Sequence, residues 1–464
     1  VYGIKCQNYQ LCSILLFQAF FQPPTPTPSV FNMTTQHIKN TPSKSLNMKR
    51  SATALTLAVA SLLGSSAALA QNAPSGLALE DALRMAITSH PSVTSRRNDV
   101  LAANARLDAA ERQRYPNFQA QTGKDVYGNA TSSLRVEQPL WNGGRTAADI
   151  EGAEASIRSS GASVTLSQLE IMGRVINAFT DLGRVKTRQL VAQSNVQEHE
   201  RLAALISRRV ESQISPTSDG TMANARLSQA RAELNQLSAL ADRSRSSLTQ
   251  ALGQPVTDTQ TPALPNLNDM SELSVRQKAI DYSPALRRLA AEEAVLNADI
   301  DSRSAALWPQ LKLRVDRNTG GFISNTQTYL ALDYQTGAGL VAQSQIKEAI
   351  AKLDSLRSSR EAAERDAIEA VTADWADLKS QQMQLKDLSD QVTATTEVFD
   401  STIRQYAVGR KTWIDVLNAQ REVAQSRYAQ ADAEWGILRS ALRVNLSTGD
   451  LSSESLGVAP AAAK

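Results

Sequence analysis

The chain repeats itself. At an offset of 193 residues Ala86-Ile87 meets Ala279-Ile280, Pro91 meets Pro284, Asn104-Ala105 meets Asn297-Ala298, Asp108 meets Asp301 and Tyr115-Pro116 meets Trp308-Pro309. At 194, Asn224-Ala225 meets Asn418-Ala419, Arg245-Ser246 meets Arg439-Ser440, and Leu248 and Leu252 meet Leu442 and Leu446. A register held over half the chain is a duplication, so every element must be sought twice. Repeat one lies within 71–252, its matching part starting near 77, and repeat two spans 270–450. A linker, 253–269, joins them through Pro255, Pro262 and Pro265, and 451–464 reads as a flexible C-terminal tail.

Each repeat carries the same order of patterns. Leu79-Glu80-Asp81-Ala82-Leu83 opens a helix that breaks at His90-Pro91, and a second helix stops before Pro116. The period then changes to two: Phe118, Ala120 and Thr122 alternate with polar neighbours, and beyond Gly128-Asn129 so do Leu134 and Val136. The spacing predicts strands over about 116–140 and, in repeat two, about 309–335, with a turn at Gly320-Gly321. Pro116, Gly143, Gly144, Pro309, Gly337 and Gly339 mark the joins between strand and helix, a structural role suited to glycine's tolerance of positive φ. Heptad-like steps follow (Ile150, Ala153, Ile157, Gly161, Val164, then Met172, Val175, Phe179 and Leu182), so long coiled-coil helices are expected over about 144–207 and 222–252, and over 339–405 and 412–447.

Within those long patterns two sites read as helix reversals, Asp181 to Lys186 and Asp374 to Lys379. Asp181, Arg184, Lys186, Asp374, Asp377 and Lys379 are therefore the candidates for a mixed-charge tip whose opposite charges can pair. Ser215, Pro216 and Gly409 read as breaks midway along the helices.

Composition narrows the function. Met48-Lys49-Arg50, an apolar run and Ala68-Leu69-Ala70 describe a signal peptide over 48–70, with 1–47 as an upstream extension. Without the five basic residues of 1–70, 44 Lys and Arg face 46 Asp and Glu, so no electrostatic footprint for nucleic acid is present. Cys6 and Cys12 also fall in that segment, leaving His90 and His199 as the histidines and excluding thiol chemistry, cysteine metal sites and lipidation at a leading cysteine. Glu198-His199-Glu200 cannot converge on a metal, because adjacent helical residues point apart. Gly337-Ala338-Gly339-Leu340-Val341-Ala342 matches a dinucleotide loop formally, but the helix after it is far too long for a βαβ unit. No cofactor and no catalytic residue is expected, and the chain does not read as an enzyme.

Strands of about ten residues fit a bilayer, whose core tolerates no open sheet edge. Four strands cannot close a barrel, so copies must combine; a soluble β-layer capping a helical bundle is the alternative.

The chain resembles the TolC family of outer-membrane export channels. The resemblance is carried by Leu79-Glu80-Asp81-Ala82-Leu83 to Pro91, Tyr115-Pro116-Asn117-Phe118, Glu137-Gln138-Pro139-Leu140-Trp141-Asn142-Gly143-Gly144-Arg145 and Val408-Gly409-Arg410-Lys411-Thr412-Trp413-Ile414-Asp415-Val416-Leu417-Asn418-Ala419-Gln420. It implies a mainly α protein with a small β part, built as a duplicated helix–β-hairpin–long-helix repeat. It further implies a homotrimer in outer-membrane lipid, with a shared twelve-stranded barrel above an α-helical periplasmic tunnel. The implied partners are a periplasmic adaptor and an inner-membrane transporter, ABC or proton-driven, in a tripartite efflux pump or a type I secretion system. Ser215-Pro216 departs from the glycine usual in the family, which repeat two keeps at Gly409. The rival readings are a soluble periplasmic helical-hairpin adaptor or scaffold and, more distantly, a secreted fibre.

Overall fold

The computed structural model describes residues 76–267, 270–320, 324–334 and 341–458. The expected signal peptide, the segment before it, and Gly321, Gly337 and Gly339 lie outside the described residues. Repeat one contains α1 (Leu79–Ser89), α2 (Pro91–Arg112), β1 (Asn117–Lys124), β2 (Ala130–Trp141), α3 (Arg145–Glu211) and α4 (Thr217–Leu252). Repeat two answers with α5 (Glu272–Tyr282), α6 (Pro284–Ala305), β3 (Gln310–Gly320), β4 (Asn325–Asp333), α7 (Val341–Ala407) and α8 (Trp413–Thr448).

Local chemistry explains the shared boundaries. A proline at the first helical position costs no hydrogen bond, so Pro91 and Pro284 each start a helix. The preceding residue supplies the cap: His90 Nδ1 accepts from the Ser92 N–H at 3.2 Å, and Ser283 Oγ accepts from the Leu286 N–H at 3.4 Å.

One expectation is corrected here. α3 and α7 are single helices of 67 residues each, about 100 Å long. The chain does not reverse at 181–186 or at 374–379. Gly183 does not end α3, because an isolated glycine weakens a helix by only about 1 kcal/mol. It serves packing instead, lying directly beneath the Trp435 ring of α8. The tail is corrected as well: Leu456 is buried in the main apolar cluster, and its carbonyl accepts from Arg84 Nε at 3.1 Å, so 451–458 is packed against α1.

The core is a thin seam. Leu83, Ile87, Ile171, Ile176, Phe179 and Leu182 join α1 and α3 to Leu438 and Leu442 of α8. A second cluster, Leu202, Ile206, Phe399, Tyr406, Trp413 and Leu417, lies at the far end of the long helices. No helix among the described residues is long and apolar enough to cross a membrane, which says nothing of a β-barrel.

The four strands form one antiparallel sheet in the order β1-β2-β3-β4. The hairpins are local, whereas β2–β3 joins the repeats, with Val136 opposite Val315 and Arg135 opposite Asp316. β1 and β4 are open edges.

Candidate functional site

The sheet has two unlike faces. Cross-strand partners share a face, so Phe118, Val136 and Val315 lie together, with Ala120, Leu134, Leu313, Leu330 and Leu332 on the same side. This apolar side is uncovered: Phe118 is 71% exposed, Leu330 63% and Leu332 67%. The opposite side is an ion lattice. Arg135 Nε meets Asp316 at 2.8 Å, Arg314 Nε meets Glu137 at 2.8 Å, Lys312 and Arg314 both reach Asp333 at 3.3 Å, and Tyr329 donates to Asp316 at 2.9 Å. A sheet with water on both sides has no reason to expose its aliphatic face and pair up its charged one.

The described joins between strand and helix involve Pro116, Gly143, Gly144 and Pro309. Gly143, at φ 67°, sits so close to Trp308 and the Ala305 carbonyl that an added Cβ would lie 3.0 and 3.1 Å from them. Gly144 caps α3 at φ 90°. Pro116 and Pro309 immediately precede β1 and β3.

The helix reversals lie at 212–216 and 408–412. Ser215, Pro216 and Gly409, expected midway along the helices, are at these turns. Gly409 takes φ 77°, and in repeat one the left-handed position is Gln213, at φ 61°. The turns pack on one another: Tyr406 and Trp413 rings are 5.2 Å apart, the Arg209 guanidinium lies 4.9 Å over Tyr406, and the hydroxyls of Ser215 and Tyr406 are 3.2 Å apart. Thr412 and Asp415 form a capping box that starts α8.

The charged residues expected at the tips do pair, but along the helices. Arg184 bridges Asp181 at 3.7 Å and Asp432 at 3.3 Å, Arg188 reaches Asp432 at 2.9 Å, and Arg439 reaches Asp181 at 3.5 Å. These contacts fasten α3 to α8. Lys186 pairs with Asp258 of the linker. In repeat two Asp374 meets Arg443 Nε at 2.8 Å, Lys379 lies 4.6 Å over the Trp375 ring, and Asp377 is near Asp374.

Burial raises the Asp374 carboxyl above its ordinary value, against the opposing charge of Arg443. A group with a raised folded value contributes stability that is complete below its ordinary value and lost as pH climbs through the raised one. The Asp374 contribution to stability should therefore fall as pH rises from about 4, opposite in sign to carboxylates with lowered values such as Asp258 and Asp316. Asp374→Asn should flatten that fall and stay within about 1 kcal/mol of wild type at neutral pH, because Arg443 remains partly solvated. Thermal melts across that range, with and without the substitution, check it.

Glu198 pairs with Arg201 and Glu200 with Arg231, on different sides of α3 from the buried His199. Burial and Arg226 lower the His199 value, against Glu198. Among the described residues no three His, Cys, Asp or Glu side chains converge to hold a metal.

The outer membrane efflux protein family matches residues 82–254 and 275–450, one segment in each repeat. Outer membrane efflux protein BepC of Brucella suis is 21% identical over 345 residues, covering 72% of this chain and 75% of that protein. Pyoverdine export outer membrane protein OpmQ of Pseudomonas putida is 25% identical over 368 residues, covering 75% and 73%. Among solved structures the outer-membrane channel OprN superposes with a TM-score of 0.72 at 20% identity, covering 80% of this chain and 89% of that one. Outer membrane protein VceC of Vibrio cholerae superposes at 0.71 and 14%, covering 80% and 96%. With both repeats matched and the fold shared, the chain belongs to the outer membrane efflux protein family.

Proposed function

We propose that three copies of this chain close into a passive exit duct, a twelve-stranded barrel in the outer membrane continued by a helical tunnel in the periplasm. The observation that carries this reading is the pair of unlike sheet faces ending in two open edges. Hydrocarbon would cover the apolar face, and β1 of one copy would pair with β4 of the next.

The duplication supports the same closure among the helices. Inside one chain α6 lies between α3 and α7, with Ala298 against Gly152 and Glu292 beside Ser159. The equivalent of the α3–α6 packing is α7 on α2, and α2 packs chiefly on α3, its other face bare. Another copy's α7 would supply the missing partner. The number three follows the resemblance to the TolC family.

Energy would come from an inner-membrane transporter, ABC or proton-driven, reached through a periplasmic adaptor, in an efflux pump or a type I secretion system. The test is the molar mass of the detergent-extracted particle by light scattering, followed by conductance in planar bilayers. A particle of three copies that conducts is the expected result. A monomer soluble without detergent would overturn the duct and favour a periplasmic scaffold.

A further inference from the structure

The duplication places two clefts at equivalent points, where each short helix pair breaks against its long helix, and they differ in charge. In repeat one Ser89, His90, Arg174, Arg243, Ser246 and Ser247 help to line a cleft of about 850 Å³ that contains no Asp or Glu. In repeat two Tyr282, Ser283, Pro284 and Ala367 help to line a cleft of about 320 Å³. Ser283 stands in the place of His90, Ala367 in that of Arg174 and Ile437 in that of Arg243. The shared break therefore needs no arginine for its geometry, and the positive charge belongs to repeat one alone.

Neither Arg174 nor Arg243 forms an ion pair or hydrogen bond with any described residue. They project from separate helices, α3 and α4, toward one recess. His90 Nδ1 accepts the Ser92 N–H, and burial, then the Arg174 charge, hold the imidazole below its ordinary value, which disfavours a third positive charge in the cleft. Two unpaired guanidiniums with hydroxyls beside them and no carboxylate form an arrangement that binds oxyanions through charge-assisted hydrogen bonds.

We propose that this cleft is a binding subsite for an oxyanion of the phosphate or sulfate class, held between Arg174 and Arg243. The repeat-two cleft has a further wall, Leu166 and Leu169 of α3. The duplication maps these onto Ser359 and Ala362 of α7, so in the closed assembly a neighbouring copy would complete the basic cleft. That wall rests on the proposed assembly; the two arginines do not.

The full chain in detergent is titrated with inorganic phosphate, then sulfate, by calorimetry at fixed ionic strength with chloride as reference. Particle mass is recorded on the same preparation. The expected result is saturable binding, weakened at least about tenfold by Arg174→Gln with Arg243→Gln. Binding should be unchanged by Arg404→Gln with Arg410→Gln, which removes the same charge from exposed positions at the far helix reversal. No saturable binding in the wild type, or equal binding in the Arg174 and Arg243 variant, overturns the subsite. Binding seen only after Glu361→Gln overturns it too, because the arginines would then belong to an acid on a neighbouring copy's α7. A trimer that fails to bind sinks the subsite alone, whereas a monomer that binds sinks the closing wall alone.

Discussion

Ala105→Trp is expected to leave the single chain folded and to abolish the assembled particle. Ala105 sits on the exposed face of α2. Its counterpart, Ala298, lies so close to α3 that a Cβ on Gly152 would be 3.2 Å from it. If neighbouring copies repeat that packing through α7, Gln345 stands where α3 has Gly152, and an indole at position 105 would compete with that side chain for the same space. Inserting bulk into a close-packed contact typically costs about 1–3 kcal/mol per site. In the proposed closed ring three such seams would fail together, so the loss should be all or none. Light scattering should report monomers with unchanged far-ultraviolet circular dichroism. A trimer of normal stability would mean that α2 does not face another copy.

Gly183→Ala is expected to destabilise the folded chain by about 2 kcal/mol or more, despite alanine's better helix propensity. The added Cβ would lie 2.1 Å from the nearest ring carbon of Trp435. The ring has little freedom to retreat, because it is buried and its indole N–H donates to Thr187 Oγ1 at 2.8 Å. The ion pairs of Asp181 and Arg184 with α8 lie on either side of this contact, so a displaced ring disturbs them as well. The melting temperature should fall by several degrees. Trp435→Leu in the same chain should recover most of the loss, since residues in contact are not additive. A single variant that melts with the wild type would disprove the close approach.

Much of the fold was legible because the duplication showed each signal twice. The strands announced themselves by a period of two bounded by turn residues, and the short helices by Pro91 and Pro284. The reversals of the long helices were misplaced for two physical reasons. Glycine inside a helix carries the same letter whether it stops the chain or admits a ring, and only the position of Trp435 on α8 distinguishes these uses. The true turn of repeat one places Gln213 in the left-handed region, which a non-glycine residue rarely occupies and no sequence pattern signals. Ser215-Pro216 reads as a break at that place but not as a reversal of direction. Asp181, Arg184 and Asp374 pair along the helices with Asp432, Arg439 and Arg443, partners that lie far along the chain and that no local pattern points to.

The join between β2 and β3 also governs when the sheet can exist. Arg135 and Asp316 are 181 residues apart in sequence, whereas each hairpin closes over a few. Closing so long a loop costs entropy that local pairing does not, and contacts of such separation form late in folding. Each hairpin can arise early as a separate two-stranded unit, only marginally stable by itself. The broad greasy surface comes into being only after the second repeat has emerged and docked. The full apolar face is therefore assembled only by the late pairing of β2 with β3, each hairpin contributing half of it beforehand.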